Sequence, residues 1–130
     1  MTDLYDWNDK IVLIAEDEEI NYLFLEEVIN KTGATVIWAK NGKEAIEFFK
    51  SNKVDLVLMD IKMPEMNGFE AMKIIKKLNN KIIVIAQTAF AMSGEKEEIL
   101  DAGFDKYIPK PIKISKLLSL MSESFKSNNN

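Results

Sequence analysis

The chain has no cysteine and no histidine. Without cysteine there is no disulfide, no thiolate nucleophile and no cysteine-ligated zinc, and the composition suits a reducing compartment. Without histidine there is no imidazole base, no imidazole metal ligand and no phosphohistidine on this chain. Arginine is missing too: all 17 basic residues are lysine, against 21 acidic residues, for a net charge of −4. That removes both the side chain most used to read base edges and the basic excess that draws proteins to nucleic acid, so direct nucleic-acid binding is not expected. No apolar run approaches the ~20 residues that cross a bilayer. The acidic start, MTDLYDWNDK, lacks the basic and apolar regions of a signal peptide. No membrane contact by this chain is expected, and a cytoplasmic location is.

What is present is an ordinary globular composition, 47% hydrophobic over 130 residues. That is enough for one domain with a real core. Residues 1–9 read as a polar N-terminal arm whose Trp7 packs down, 10–126 as the domain, and 127–130 as a frayed polar tail. No internal repeat or long linker divides the chain.

Within the domain, short β-branched runs alternate with helical spacing. Lys10 to Ala15 reads as a first strand, Thr35 to Ala39 as a second and Val54 to Met59 as a third. Lys81 to Thr88 is a fourth, and Lys106 to Ile108 a short fifth. The first helix spans Ile20 to Lys31, with Ile20, Leu23, Phe24 and Val28 expected inward and Gly33 as its stop. A second, Lys43 to Lys50, follows an Asn41-Gly42 turn and turns Ala45, Ile46 and Phe49 inward. A third opens at Asn67 or Gly68, with Phe69, Met72, Ile75 and Leu78 as its stripe. A fourth, capped by Ser93, runs to about Ala102 and has Ile99 as its main anchor, so it is expected to be the less firmly held. The last spans Lys113 to Phe125, with Ile114, Leu117, Leu118, Met121 and Phe125 on one face.

Such alternation calls for an α/β fold, a parallel sheet covered on both faces. Right-handed crossovers in a chain this short favour a flavodoxin-like (βα)5 sandwich with strand order 2-1-3-4-5. Ligands in such sheets sit beyond the carboxyl ends of the strands, at the switch in strand order. Here the switch lies between strands 1 and 3.

Polar residues gather at that edge: Glu16 and Asp17 after strand 1, Asp60 after strand 3, Thr88 after strand 4, Lys110 after strand 5. Taken singly, each is the kind of loop acid, turn hydroxyl or exposed lysine that most proteins carry. Together they form a pattern, because none at the opposite edge interrupts an apolar strand. Three crowded carboxylates repel and call for a hard divalent cation with oxygen ligands, Mg²⁺ foremost. A phosphoryl group brought there would be neutralised by the metal and the Lys110 ammonium, and the Thr88 hydroxyl would bind another of its oxygens. Asp60 is then the natural nucleophile, because a carboxylate attacks phosphorus without needing a base.

The motifs IAEDEE, LVLMDIKMPEMNG, IAQTAF and DKYIPKPI, in this order and spacing, resemble the receiver domains of two-component response regulators. The resemblance covers Lys10 to Phe125. In flavour it is similar to receivers attached to hybrid histidine kinases and to the chemotaxis response regulator. It implies that Asp60 is the phosphoacceptor and that Asp17, Asp60 and the backbone carbonyl of Lys62 ligate Mg²⁺, with Glu16 binding directly or through water. It implies that Thr88 and Lys110 hold the phosphoryl oxygens, that Tyr107 is the switch aromatic answering Thr88, and that Lys110-Pro111 is a cis peptide. The acidic pair is Glu-Asp where the family more often has Asp-Asp. Phe90, two residues after Thr88, borders the path of hydrolytic water and is expected to shield the phosphate.

The implied function is phosphorelay. A histidine kinase or histidine phosphotransfer protein supplies the phosphoryl group, docking on helix 1, and the surface of helix 4, strand 5 and helix 5 switches. The chain would not be an enzyme beyond catalysing its own phosphorylation and dephosphorylation. It would act as a monomer or a weak phosphorylation-dependent dimer, either alone or as the cytoplasmic part of a membrane-anchored hybrid kinase. Three other readings compete. A haloacid-dehalogenase-like phosphatase needs an acid where Lys62 stands. A flavodoxin-like FMN binder needs a phosphate loop after strand 1. A receiver used only for binding would not need Asp17, Asp60, Thr88 and Lys110 all intact.

Overall fold

The computed structural model describes residues 5–89 and 94–128, the side chains of 127 and 128 aside. Five strands alternate with five helices: β1 (Ile11–Ala15), α1 (Glu19–Asn30), β2 (Thr35–Ala39), α2 (Gly42–Ser51), β3 (Leu56–Asp60), α3 (Gly68–Leu78), β4 (Val84–Thr88), α4 (Glu95–Ala102), β5 (Lys106–Pro109) and α5 (Ile114–Asn128). All strand pairs are parallel, in the expected order β2-β1-β3-β4-β5.

Each strand serves two cores, because successive side chains point to opposite faces. Val12, Ile14, Leu56, Leu58, Ile85 and Ile108 meet α1 and α5 on one face. Leu13, Ala15, Val57, Met59, Val84 and Ala86 meet α2, α3 and α4 on the other. The central strands are therefore runs of apolar residues rather than alternating, with polar residues only toward their carboxyl ends, as burial on both faces requires. Asn41 and Asn67 cap α2 and α3, each side chain accepting a hydrogen bond from the backbone N–H three residues on.

Helix α1 is rotated from its expected setting. Tyr22, Leu25, Val28 and Ile29 are buried, whereas Ile20, Leu23 and Phe24 are exposed. Tyr22 decides the rotation by stacking on Trp38 of β2, ring centroids 4.3 Å apart and planes 5° from parallel. Leu78 and Ile114 also turn outward, each lying beyond the reach of the sheet at a helix end. Phe49 is half-buried. The last helix continues past Phe125 through Asn128.

The described residues before β1 are anchored. Trp7 is buried, its ring edge-on to Phe125 at 4.9 Å, and its backbone N–H donates to the Thr32 carbonyl. That contact closes the amino edge of the sheet, where Gly33 adopts φ 89°, a backbone conformation that strains any residue with a side chain. Helix α4 has a single buried residue, Ile99. Burying one such side chain supplies only about 1.5–3 kcal/mol, which makes α4 the element most easily displaced. Ser93, the expected cap of α4, and Phe90, the expected shield, lie outside the described residues. Among the described residues no helix is long and apolar enough to cross a membrane.

Candidate functional site

Strand register builds the site. Ala15 of β1 pairs with Met59 of β3, so the next residues, Glu16 and Asp60, emerge level with one another. Asp60 pairs with Gln87, and Thr88 pairs with Pro109, which places Lys110 directly beyond β5. The chain fixes each of these exits. The Glu16 N–H donates to the Ala39 carbonyl, and the Trp38 indole N–H donates to the Glu16 carbonyl at 2.7 Å. The Lys110 N–H donates to the Thr88 carbonyl at 2.7 Å, and the bond from Lys110 to Pro111 is cis. Beyond Asp60, the Gly68 N–H returns to the Ile61 carbonyl, folding the intervening loop back over the strand end.

Glu16, Asp17 and Asp60 present carboxylate oxygens that all lie within 4.8 Å of one another. Glu16 and Asp60 are buried and Asp17 is exposed. Lys110 bridges the two buried acids, its Nζ 3.2 Å from Glu16 Oε1 and 3.1 Å from Asp60 Oδ2. The other Asp60 oxygen accepts from the Lys62 backbone N–H at 3.1 Å. Asp17, Asp60, Lys62, Thr88 and Lys110 line a cleft of about 360 Å³, and Glu16 meets it through Asp60 and Lys110. All the sequence-predicted residues thus converge there except Tyr107, which is half-buried on β5 and faces α4 instead.

One lysine does not balance three acids. Burial, and then the Asp60 charge, push the Glu16 carboxyl up from 4.5 to about 7. Burial alone would lower Lys110, but the Asp60 and Glu16 carboxylates outweigh it and hold its pKa above the ordinary value. The set fits a divalent cation: hard oxygen donors, excess negative charge and one exposed acid through which an ion can enter. Because the folded state raises Glu16, it holds a proton that the unfolded chain has released. Stability of the metal-free protein should therefore fall as pH rises from about 4.5 to about 7, and stay low above it. Glu16→Gln should flatten that dependence and raise stability at pH 8 by on the order of 1–3 kcal/mol. Thermal unfolding in chelator checks it, and added divalent metal should help wild type more than the variant.

Two features of the site were not legible in the sequence. The Thr88 hydroxyl donates to a carboxylate oxygen of Glu95, the first residue of α4. Glu95 and Glu98 line the cleft beside the strand-end acids. An acid in a first helical turn reads in sequence as a complement to the helix dipole, so nothing marked Glu95 as a neighbour of Thr88. The second is Gln87, fully buried beside Asp60 with neither amide atom hydrogen-bonded among the described residues.

A doubly wound parallel sheet that gathers an acid cluster and a lysine at its switch point sets a candidate site where such sheets bind their ligands. The chain belongs to the response regulator receiver domain family, whose model matches residues 12–122. It is 40% identical over 111 residues to the polar-differentiation response regulator DivK of Brucella anthropi, covering 84% of this chain and 90% of that one. It is 39% identical over 110 residues to hybrid signal transduction histidine kinase I of Dictyostelium discoideum, covering 78% of this chain but 6% of the kinase. Among solved structures it is similar to the receiver domain of a Pseudomonas aeruginosa sensor histidine kinase that has a magnesium ion in its active-site cleft. That similarity has TM-score 0.83 and 27% identity, and covers 90% of this chain and 98% of that one. A Francisella response regulator receiver domain is similar with TM-score 0.85 and 29% identity, covering 92% of this chain and 98% of that one. The chain is thus a receiver domain of two-component signalling, a class that works with histidine kinases or phosphotransfer proteins.

Proposed function

We propose that Asp60 accepts the phosphoryl group. The observation that carries this reading is its setting: a buried carboxylate with one oxygen held by the Lys62 N–H and the other by Lys110. In the transfer, an Asp60 oxygen attacks phosphorus as the N–P bond of a partner's phosphohistidine breaks. The leaving imidazole keeps the electron pair and takes a proton from solvent. Lys110 neutralises the added charge, and the Thr88 hydroxyl is near enough to the cleft to bind a phosphoryl oxygen. Glu16, Asp17, Asp60 and the Lys62 carbonyl would hold Mg²⁺. Bound there, Mg²⁺ neutralises the carboxylates and the charge on the transferring group. Tyr107 reports the change to the surface of α4, β5 and α5. The protein works in the cytoplasm, as a single protein or as part of a larger kinase, as a monomer or a weak dimer formed on phosphorylation.

Incubation with acetyl phosphate and Mg²⁺, followed by intact mass, tests the reading. One added phosphoryl group is expected, and none when the metal is chelated. A folded, metal-supplied protein that takes up no label would refute it.

What α1 leaves exposed supports a docking face for the donor. Ile20 is 82% and Phe24 41% exposed, and with Pro111 and Ile112 they line a groove of about 430 Å³ that reaches Lys110. An exposed apolar groove opening on the site suits a partner helix. Phe24→Glu should slow transfer from a phosphohistidine protein by roughly tenfold or more while leaving acetyl phosphate labelling unchanged. Rapid-quench transfer kinetics with the two donors separate these effects.

A further inference from the structure

The two residues expected to switch, Thr88 and Tyr107, stand on different strands and do not share a cleft. Consecutive residues of α4 hold them both. Glu95 accepts the Thr88 hydroxyl proton. Lys96 sets its ammonium over the Tyr107 ring, 5.7 Å from the centroid, within the range of cation–π attraction.

We propose that Glu95 and Lys96 form a two-point clamp that keeps Thr88 and Tyr107 in the unphosphorylated arrangement. Glu95 competes directly with the phosphoryl group for the single proton of Thr88. This rests on Asp60 being the phosphoacceptor.

A threonine hydroxyl has one proton to donate. While Glu95 accepts it, a phosphoryl oxygen on Asp60 cannot. The competition is also electrostatic. Glu95 brings a carboxylate to the wall of the cleft that a phosphoryl dianion must enter, so an arriving phosphate repels the very group it must displace. Release is inexpensive because, among the described residues, α4 has little else holding its first turn. Its N-cap, Gly94, offers no side-chain hydrogen bond, and its buried anchor, Ile99, lies in the second turn. Since Glu95 and Lys96 are adjacent in one turn, a shift of α4 that draws Glu95 off Thr88 also draws the cation off Tyr107. One displacement therefore carries the change from the cleft to β5, and Glu95 is a positioning residue that sets how hard the switch is to throw.

The test is a double-mutant cycle read by calorimetric titration with beryllofluoride, a tetrahedral phosphoryl mimic, in saturating Mg²⁺. Glu95→Ala is expected to tighten beryllofluoride binding by roughly three- to tenfold, the worth of the one hydrogen bond to Glu95 that is lost. Glu95→Gln, which keeps an acceptor oxygen but not the charge, should fall between. In a Thr88→Ala background, Glu95→Ala should tighten binding much less, by the relief of charge alone. The Tyr107 ring signals of metal-free Glu95→Ala, followed by NMR, should lie closer to those of the beryllofluoride complex than wild type does. Unchanged affinity in Glu95→Ala, or an equal change with and without Thr88, overturns the clamp and leaves the phosphoacceptor reading standing. Folded wild type that binds no beryllofluoride in Mg²⁺ removes the phosphoacceptor reading, and the clamp with it.

Discussion

Asp60→Asn should abolish phosphoryl uptake while leaving the fold intact. Asparagine keeps the shape of aspartate, and its amide oxygen can still accept the Lys62 N–H that Asp60 accepts now. It loses the charged nucleophile, and Lys110 loses one of its two carboxylate partners. Labelling by acetyl phosphate should drop by at least ~1,000-fold, the scale on which enzymes lose rate when a nucleophile is removed. Stability should move the other way. The Asp60 charge is one of the causes that raise Glu16, so removing it relieves repulsion between two buried acids. Intact mass and thermal unfolding in chelator, run on the same samples, check both halves. Residual labelling near the wild-type rate would mean that another carboxylate is the acceptor.

The second large effect is expected at Gly68, where helix propensity and packing disagree. Alanine is better than glycine inside a helix by about 1 kcal/mol, and Gly68 is the first residue of α3. A Cβ there would lie 2.3 Å from the Asp60 carbonyl oxygen and 2.9 Å from the Ile61 Cα. Both neighbours are backbone, so neither can rotate away. The strand end that presents Asp60 would have to move, together with the Gly68 N–H bond to the Ile61 carbonyl. Gly68→Ala should therefore destabilise the protein by about 3 kcal/mol, the upper end of overpacking. It should also slow labelling at Asp60, although residue 68 contributes no side chain to the site. Denaturant melts and the acetyl phosphate assay measure the two losses.

The strand cores were legible because a strand buried on both faces is apolar throughout, as in IVLIA and LVLMD. Their order followed from the alternation with helices. The site was legible in its residue types, since a charge ending an apolar run is conspicuous in Glu16 and Asp60. Helix α1 was harder. Its apolar residues surround the helix, so periodicity admits two stripes. The choice falls to a tertiary contact, the stacking of Tyr22 on Trp38, that no local pattern encodes. The stripe left over, Ile20, Leu23 and Phe24, is the part that remains for a partner. Glu95 was out of reach for a similar reason: its meeting with Thr88 depends on how the chain returns from β4 into α4.

The two indoles of this chain stand at opposite edges of the sheet. Trp38 is bonded to the backbone of an acid in the cleft, and Trp7 is buried against Phe125 at the far edge. Their fluorescence thus divides by position. Quenching or a spectral shift from Trp38 is expected to follow charge and metal at the acidic edge, and that from Trp7 the closure of the amino edge by the segment before β1. With each indole replaced in turn by phenylalanine, this receiver carries its own optical probe for ligand events and a separate one for unfolding, with no label attached.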